Sequence, residues 1–553
     1  MQMLAVIPSG NFQASDAAKI QLYQDAFLNF AGIIPLTRFS VGSATYPGYG
    51  EFVFWNADQT RLIAVEKADA SASLTSSYGV SVLSPSTAGQ TVFSFQSLGG
   101  YSTTTAGTSN STTVGSARFQ GSAQSQNPTG LAIFADHQNG VLVSEATVPA
   151  VTPTSNGVIY AEVGNSVNTG IAIANPNTAQ ANLSFYFMDQ NGNKYGAGTM
   201  TIPPNGQIAA FLNQPPFNGG ASIAGTFNFS SNVPVGAIAL RQLINQRGEN
   251  IWTTLPVVPM FGGFSVQAFP SFADGGGWVT QFVLVNSTSF PSKGTLQFYP
   301  PMSFSPIPSS VIVTIDGQTG NTFPYSIPPG TAIKLKTSGS GTSVQVGYAQ
   351  AIPDPGYPTP SGVAIFSETS ADGTTIAEAG VPASSLLFDM LVYAEGSLDA
   401  SRIRTGLALA NTSTTAVNAT LSLTTLNGAA LGPSTTLTIQ GNTQLQRFLD
   451  EIPGFQNLPA FQGVLRITPS SPLAVMGLRS RINERGEFLM TTTSPVSATN
   501  FASSTYMFPH FADGGGFTTQ FILLSQGQSV AGQLQFFDQS GQPVAPGFQA
   551  PVD

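Results

Sequence analysis

The chain has 553 residues, only 8% of them charged, with 27 Asp and Glu against 18 Lys and Arg for a formal net charge of −9. So few basic residues exclude a nucleic-acid binder that neutralises phosphates, and 41% hydrophobic residues are too many for a disordered chain. With no cysteine and only two histidines, His137 and His510, disulfides, thiolate catalysis and Cys-ligated metals are excluded.

In chain order, the apolar start Met1–Ile7 is short and lacks the basic residues of a signal peptide. An export signal then lies outside this sequence, or export does without one. Ser15–Phe30 places Ile20, Tyr23, Phe27 and Phe30 at three- and four-residue spacing behind Ser15 or Asp16, which predicts a short N-terminal amphipathic helix. Such a helix packs on the first module as a lid or docks onto a neighbouring subunit. Beyond it the period is two. Phe185 and Phe187, Leu296 and Phe298, Leu421 and Leu423, and Leu534 and Phe536 each alternate with polar neighbours. Asn191-Gly192, Asp316-Gly317, Asp372-Gly373 and Asn427-Gly428 punctuate the strands as hairpin turns. No apolar run approaches the ~18 residues of a membrane-spanning helix.

The chain repeats itself after about 235 residues. Val158–Glu162 (VIYAE) recurs as Leu391–Glu395 (LVYAE), and Ile171–Asn175 (IAIAN) as Leu407–Asn411 (LALAN). Leu240–Glu249 (LRQLINQRGE) recurs as Leu478–Glu487 (LRSRINERGE). Phe269–Asn286 (FPSFADGGGWVTQFVLVN) recurs as Phe508–Ser525 (FPHFADGGGFTTQFILLS). Each long unit divides into related halves, types A and B, in the order B–A–B–A–B. The fold class this predicts is all-β: tandem immunoglobulin-like antiparallel sandwiches in an extended array. The expected boundaries are an N-terminal segment 1–47, a divergent type B module 48–150, type A 151–259, type B 260–385, type A 386–498, and an incomplete type B half at 499–553.

These repeats resemble the tandem β-sandwich repeat regions of secreted surface proteins of environmental bacteria. The likeness rests on the FADGGG block, the Ile327–Gly330 IPPG segment and the IN-x-RGE block. It covers about 85–553 well, 48–84 weakly and 1–47 not at all. It implies an exported, surface-associated structural or interaction region rather than an enzyme.

Candidate chemistry is sparse. Asp274 with Gly275, and Asp513 with Gly514, read as structural turns, since one local carboxylate falls short of the ligands a calcium ion needs. Arg247 and Glu249, and Arg485 and Glu487, sit on hairpin tips, where they either pair across their own turn or reach the next module or subunit. No catalytic residue, metal site or cofactor is expected: His137 reads as a loop residue, and His510 replaces Ser271 of the sister block. Trp55, Trp252 and Trp278 read as core or strand residues. Asn110, Asn182, Asn228, Asn286, Asn411 and Asn418 lie in Asn-x-Ser/Thr sequons.

Half a sandwich at 506–553 exposes a core and an open edge. This predicts a subunit of an extracellular filament or surface layer, a homo-polymer assembling head-to-tail by strand complementation between that half and the N-terminal region of the next copy. The alternative is a cell-surface adhesin or carbohydrate-binding stalk with surface glycans as partners. Assembly surfaces should recur in every module, whereas a ligand site should be singular.

Overall fold

The alternation seen in the sequence becomes strand throughout, in a computed structural model that describes residues 90–549 apart from 123–126, 261–262, 303–310, 385, 499–505 and 526, together with the backbone of six earlier strands between Leu28 and Leu83. The chain divides into two compact units, 1–92 and 93–553. In the first, Leu28–Pro35, Gly50–Asn56, Leu62–Lys67 and Tyr78–Leu83 form an antiparallel sheet in that order. Residues 15–27 of the expected helix lie outside the described residues, and its last three, Leu28–Phe30, open the first strand instead. Among the described residues the only helical element is the 3-10 turn Leu449–Glu451.

The second unit holds four sandwiches that share one strand order, two sets of four strands each; in IV the short strand Val496–Ser497 adds a fifth to one sheet, and in II the two sets join as one seven-stranded sheet. In sandwich III one sheet runs Gln267–Asp274, Gln345–Pro353, Ser292–Tyr299, Thr322–Ile327, and the other Ala332–Lys336, Trp278–Val285, Ser361–Thr369, Thr375–Pro382. Sandwich II occupies Thr154–Val258 and IV Met390–Ala498; in II a single strand, Ile223–Ile244, passes through both sheets.

Sandwich I is split between the chain's two ends. Its sheets run Met507–Asp513, Thr113–Gly121, Val530–Asp538, Gln90–Phe95 and Gly100–Thr104, Phe517–Leu524, Thr129–Gln138, Val141–Pro149. This is the order of sandwich III strand for strand. The core matches as well. Phe511 and Phe521 meet Phe536 edge-to-face at 5.6 and 5.3 Å, as Phe272 and Phe282 meet Phe298 at 5.0 and 5.3 Å.

Two expectations are therefore corrected. The segment 499–553 is not an incomplete module awaiting another copy, and 48–150 is not a module of its own. Residues 90–150 supply in cis the strands that the C-terminal half lacks, while the strands from 50 to 83 belong to the N-terminal unit. A tethered complement is present at high effective concentration, so it outcompetes one from another molecule.

Nor is the array extended. Buried apolar clusters join I to II through Phe134, Val148, Ala172 and Ile238, and II to III through Val163, Val283 and Ile365. III meets IV through Ala268, Tyr348, Ala410 and Ala474, and IV returns to I through Tyr393, Val464, Leu131 and Ile522. The four closing strands, Val141–Pro149, Asn250–Leu255, Thr375–Pro382 and Phe488–Thr493, pack side by side at the centre of this closed ring.

Recurrent polar residues pin each sandwich. Asn286 Nδ2 donates to the carbonyls of Phe290, Ile327 and Pro328, and Asn175 and Asn411 repeat the pattern. Thr169, Thr280, Thr405 and Thr519 each exchange two hydrogen bonds with the backbone of the opening strand. Leaving such buried carbonyls unpaired would cost about 1–3 kcal/mol apiece.

Candidate functional site

The scarce charge of this protein gathers where the sandwiches meet. Arg241, on the long strand of II, pairs with Glu378 on the closing strand of III, and its Nε lies 3.7 Å from Glu162 of its own sandwich. Arg479 repeats this from IV, pairing with Glu145 of I while its Nε donates to Glu395 at 3.0 Å. All four side chains of the two inter-sandwich pairs are 5% exposed or less. Burial by itself would lower both guanidinium pKa values, but the facing carboxylates outweigh it and hold them above their ordinary range.

Around these pairs the closing strands exchange neutral bonds. Thr254 Oγ1 donates to Thr147 O at 2.8 Å and Thr492 Oγ1 to Gly380 O at 2.7 Å, a second pair of equivalent ties. Thr491 Oγ1 donates to Thr147 Oγ1 at 3.1 Å, and beyond the closing strands Trp252 Nε1 reaches the carboxyl of Asp136, on Thr129–Gln138, at 2.9 Å. The arrangement spends its charge on registering four sandwiches against one another.

The hairpin residues lie at the same junction. Asn245 and Asn483 each accept two backbone N–H bonds that shape their turns and hold Glu249 or Glu487 through Nδ2 at 2.9 Å. The ion pairs then cross between sandwiches: Arg247 of II pairs with Glu487 of IV, and Arg485 of IV with Glu249 of II at 2.5 Å. Arg485 also pairs within its own hairpin, with Glu487 at 2.9 Å. Burial tends to raise both carboxyls, yet the arginines and the amides of Asn245 and Asn483 hold them below the usual carboxylate range.

Asp274 Oδ1 accepts the N–H of Gly339 and Asp513 Oδ1 that of Gly107, both at 2.8 Å, so each fastens its turn to the loop before the next strand of the same sandwich. Gly275 and Gly514 have φ of +83° and +81°, and a Cβ on either would stand 2.5 Å from a carbonyl oxygen, of Ser343 or Ser111. Only glycine fits there. Among the described residues no cluster of three or more His, Asp or Glu is arranged to hold a metal ion.

His510 is not a free base. Its Nδ1 lies 2.9 Å from Gln207 Nε2, its ring packs on Phe134 at 5.6 Å, and burial pushes its pKa down to about 4. Trp252 stacks on Phe211 at 6.2 Å. Of the sequon asparagines, Asn228, Asn286 and Asn411 are buried, while Asn110, Asn182 and Asn418 are exposed.

The sequence reading missed Arg241, Arg479, Glu145 and Glu378. A signal existed, because each arginine opens its repeated block as Leu-Arg and each glutamate sits inside an otherwise apolar closing strand.

No protein-family model and no curated protein matches this chain. Among solved structures, a structure of infectious bursal disease virus Gx strain is 10% identical over 70% of this chain and 83% of its own, with a TM-score of 0.11. A VP2 subviral particle of the same virus is 11% identical over 71% of this chain and 82% of its own, also at 0.11. Likeness of that size carries no inference here. Among the described residues no helix is long and apolar enough to cross a membrane.

Proposed function

We propose that this protein is a non-catalytic structural subunit of an extracellular or surface assembly, built by lateral association of copies of this chain through their four-sandwich units. The observation that carries the reading is an edge that recurs in all four sandwiches. Among the described residues, one sheet of each ends on a strand paired with one neighbouring strand: Gln90–Phe95, Lys194–Ile202, Thr322–Ile327 and Thr435–Ile439. Edges are ordinarily guarded by charge, above all lysine. These four strands together carry one, Lys194. In the other sheets, the edge strands of I and IV each bond a neighbouring sandwich, Gly100 N donating to Leu426 O and Met302 N to Gln444 O.

The C-terminal half-module plays no part in this route, since its partners come from its own chain. A low charge density favours such packing, because little long-range repulsion opposes it.

The test is a concentration series of the purified full chain by sedimentation and negative-stain microscopy. Polymers should grow with concentration, and Thr199→Lys with Thr436→Lys, at exposed edge positions, should abolish them while leaving the melting temperature unchanged. A chain that remains monomeric throughout, or polymers indifferent to both lysines, would overturn the reading. A second reading, carbohydrate recognition, is favoured by an aromatic-lined cleft between sandwiches II and III.

A further inference from the structure

Residues of sandwiches II and III line a cleft of about 830 Å³. Its apolar lining includes Tyr186, Met188, Phe264, Phe290 and Tyr357. Phe264 and Phe290 are 70% and 69% exposed; among the described residues the only other phenylalanine so exposed is Phe388. Leaving large rings in water forgoes favourable burial.

Phe290 is nevertheless held rather than loose. Its carbonyl accepts Asn286 Nδ2 at 2.7 Å and Thr288 Oγ1 at 2.9 Å. The IPPG segment brings the two sandwiches together beneath it. Gly330 has φ +70°, a Cβ there would stand 2.8 Å from Met188 Sδ, and its carbonyl accepts Thr226 Oγ1 at 2.6 Å. Lys194 and Lys293 lie over the Tyr186 and Tyr357 rings, 3.7 and 5.5 Å from their centroids.

The equivalent junction keeps the architecture and drops the chemistry. Leu98, with φ +61°, stands where Gly330 does and accepts Thr424 Oγ1 at 2.6 Å. Where Tyr186 faces Asn228 across the strands, Ser422 faces Arg466, which is paired to Asp389. The loop Ser525–Ser529 carries no aromatic residue where Phe290 stands.

We propose that this cleft binds a neutral carbohydrate chain. Aromatic rings stack on the C–H faces of pyranose units. The hydroxyl and amide residues of the lining, Asn228 and Ser287–Ser289, match hydroxyls that both donate and accept. No acidic or histidine residue is among those lining the cleft, and the two ammoniums beside it, Lys194 and Lys293, are engaged on tyrosine rings, so the ligand proposed is a neutral chain rather than a uronate, a sulfated sugar or a charged peptide. A proline-rich peptide would use the rings but offer the hydroxyls mainly acceptors.

Native electrophoresis of the full chain through gels containing xyloglucan, mixed-linkage β-glucan or galactomannan tests this, with a plain gel and an alginate gel as references. Retardation is expected in at least one neutral gel and not in alginate. Phe264→Ala with Phe290→Ala should weaken it by about tenfold, while Phe388→Ala should leave it intact; the melting temperature of each variant checks that exposed-site changes leave the fold alone. Retardation that survives the double substitution, its absence from all three neutral gels, preference for alginate, or quenching of tyrosine fluorescence by a decaproline peptide without any effect of the glycans would each overturn the proposal.

Discussion

Sandwich III is written in one continuous stretch and sandwich I in two, more than 350 residues apart in the chain, yet they share strand order, ring geometry and the Asp-to-Gly turn bond. Continuity is therefore not what specifies a sandwich here. What specifies it is which apolar faces and open edges remain to be matched once the other strands are placed. Splitting one module between the ends gives every sandwich two neighbours and leaves no terminal sandwich with a bare side. It also makes sandwich I the clasp of the ring.

Deleting 506–553 should produce the largest effect. It removes three strands of I and strips partners from Phe93, Phe119 and Phe134. The loss exceeds the roughly 5–15 kcal/mol by which a domain is stable, so calorimetry should show I unfolded and the ring's cooperative transition broken. Adding 506–553 as a separate chain should restore it. A truncated chain that melts like the intact one would break the equivalence of I and III.

Arg479→Met and Arg241→Met sharpen the same comparison at the centre. Each removes the arginine shared by two carboxylates, although Glu162 keeps Lys334 and Glu145 keeps Arg481, at a cost of about 3 kcal/mol, read from the denaturation midpoint. The two losses should be alike, because the clasp and the continuous junction use the same pair. Arg247→Ala, at a side chain 32% exposed, should cost less than about 1 kcal/mol. A much larger loss for Arg479 than for Arg241 would show that the clasp depends on its ion pair more than the continuous junction does.

His510→Ser gives a pH signature. Sandwich III carries Ser271 at this position. The folded pKa of His510 is pushed from 6.5 to about 4, so below pH 6.5 the unfolded chain binds the extra proton and stability falls as the pH drops toward 4. The substitution should remove about 1–2 kcal/mol of that acid sensitivity, discounted because the ring is not fully enclosed. Urea titrations at pH 5 and pH 7.5 would show it; equal slopes in both proteins would place the titration elsewhere.

Much of the fold was legible in the residues. Alternation at Phe185 and Phe187 or Leu534 and Phe536 marks strands because a sheet has two faces, and Asn175, Asn286 and Asn411 mark the strand ends they pin. The FADGGG glycines announced turns of positive φ. The N-terminal spacing of Ile20, Tyr23, Phe27 and Phe30 was less reliable: Leu28–Phe30 form strand, where pairing with Gly50–Asn56 overrides local periodicity. Of the candidate site, the hairpin arginines were visible as charge in a charge-poor chain, but their partners across the ring were not. The cleft left a fainter trace, an aromatic at Phe290 that its sister loop lacks.

By itself the order of residues determined that this protein is all-β, duplicated and poor in charge, because side-chain alternation, turn chemistry and repeat spacing are local properties of the chain. Only the tertiary structure decided that the array closes and that the last half-module finds its complement within the same molecule. Equivalent repeats reveal which segments are interchangeable, whereas the choice of partner depends on tether length and on four surfaces meeting in space.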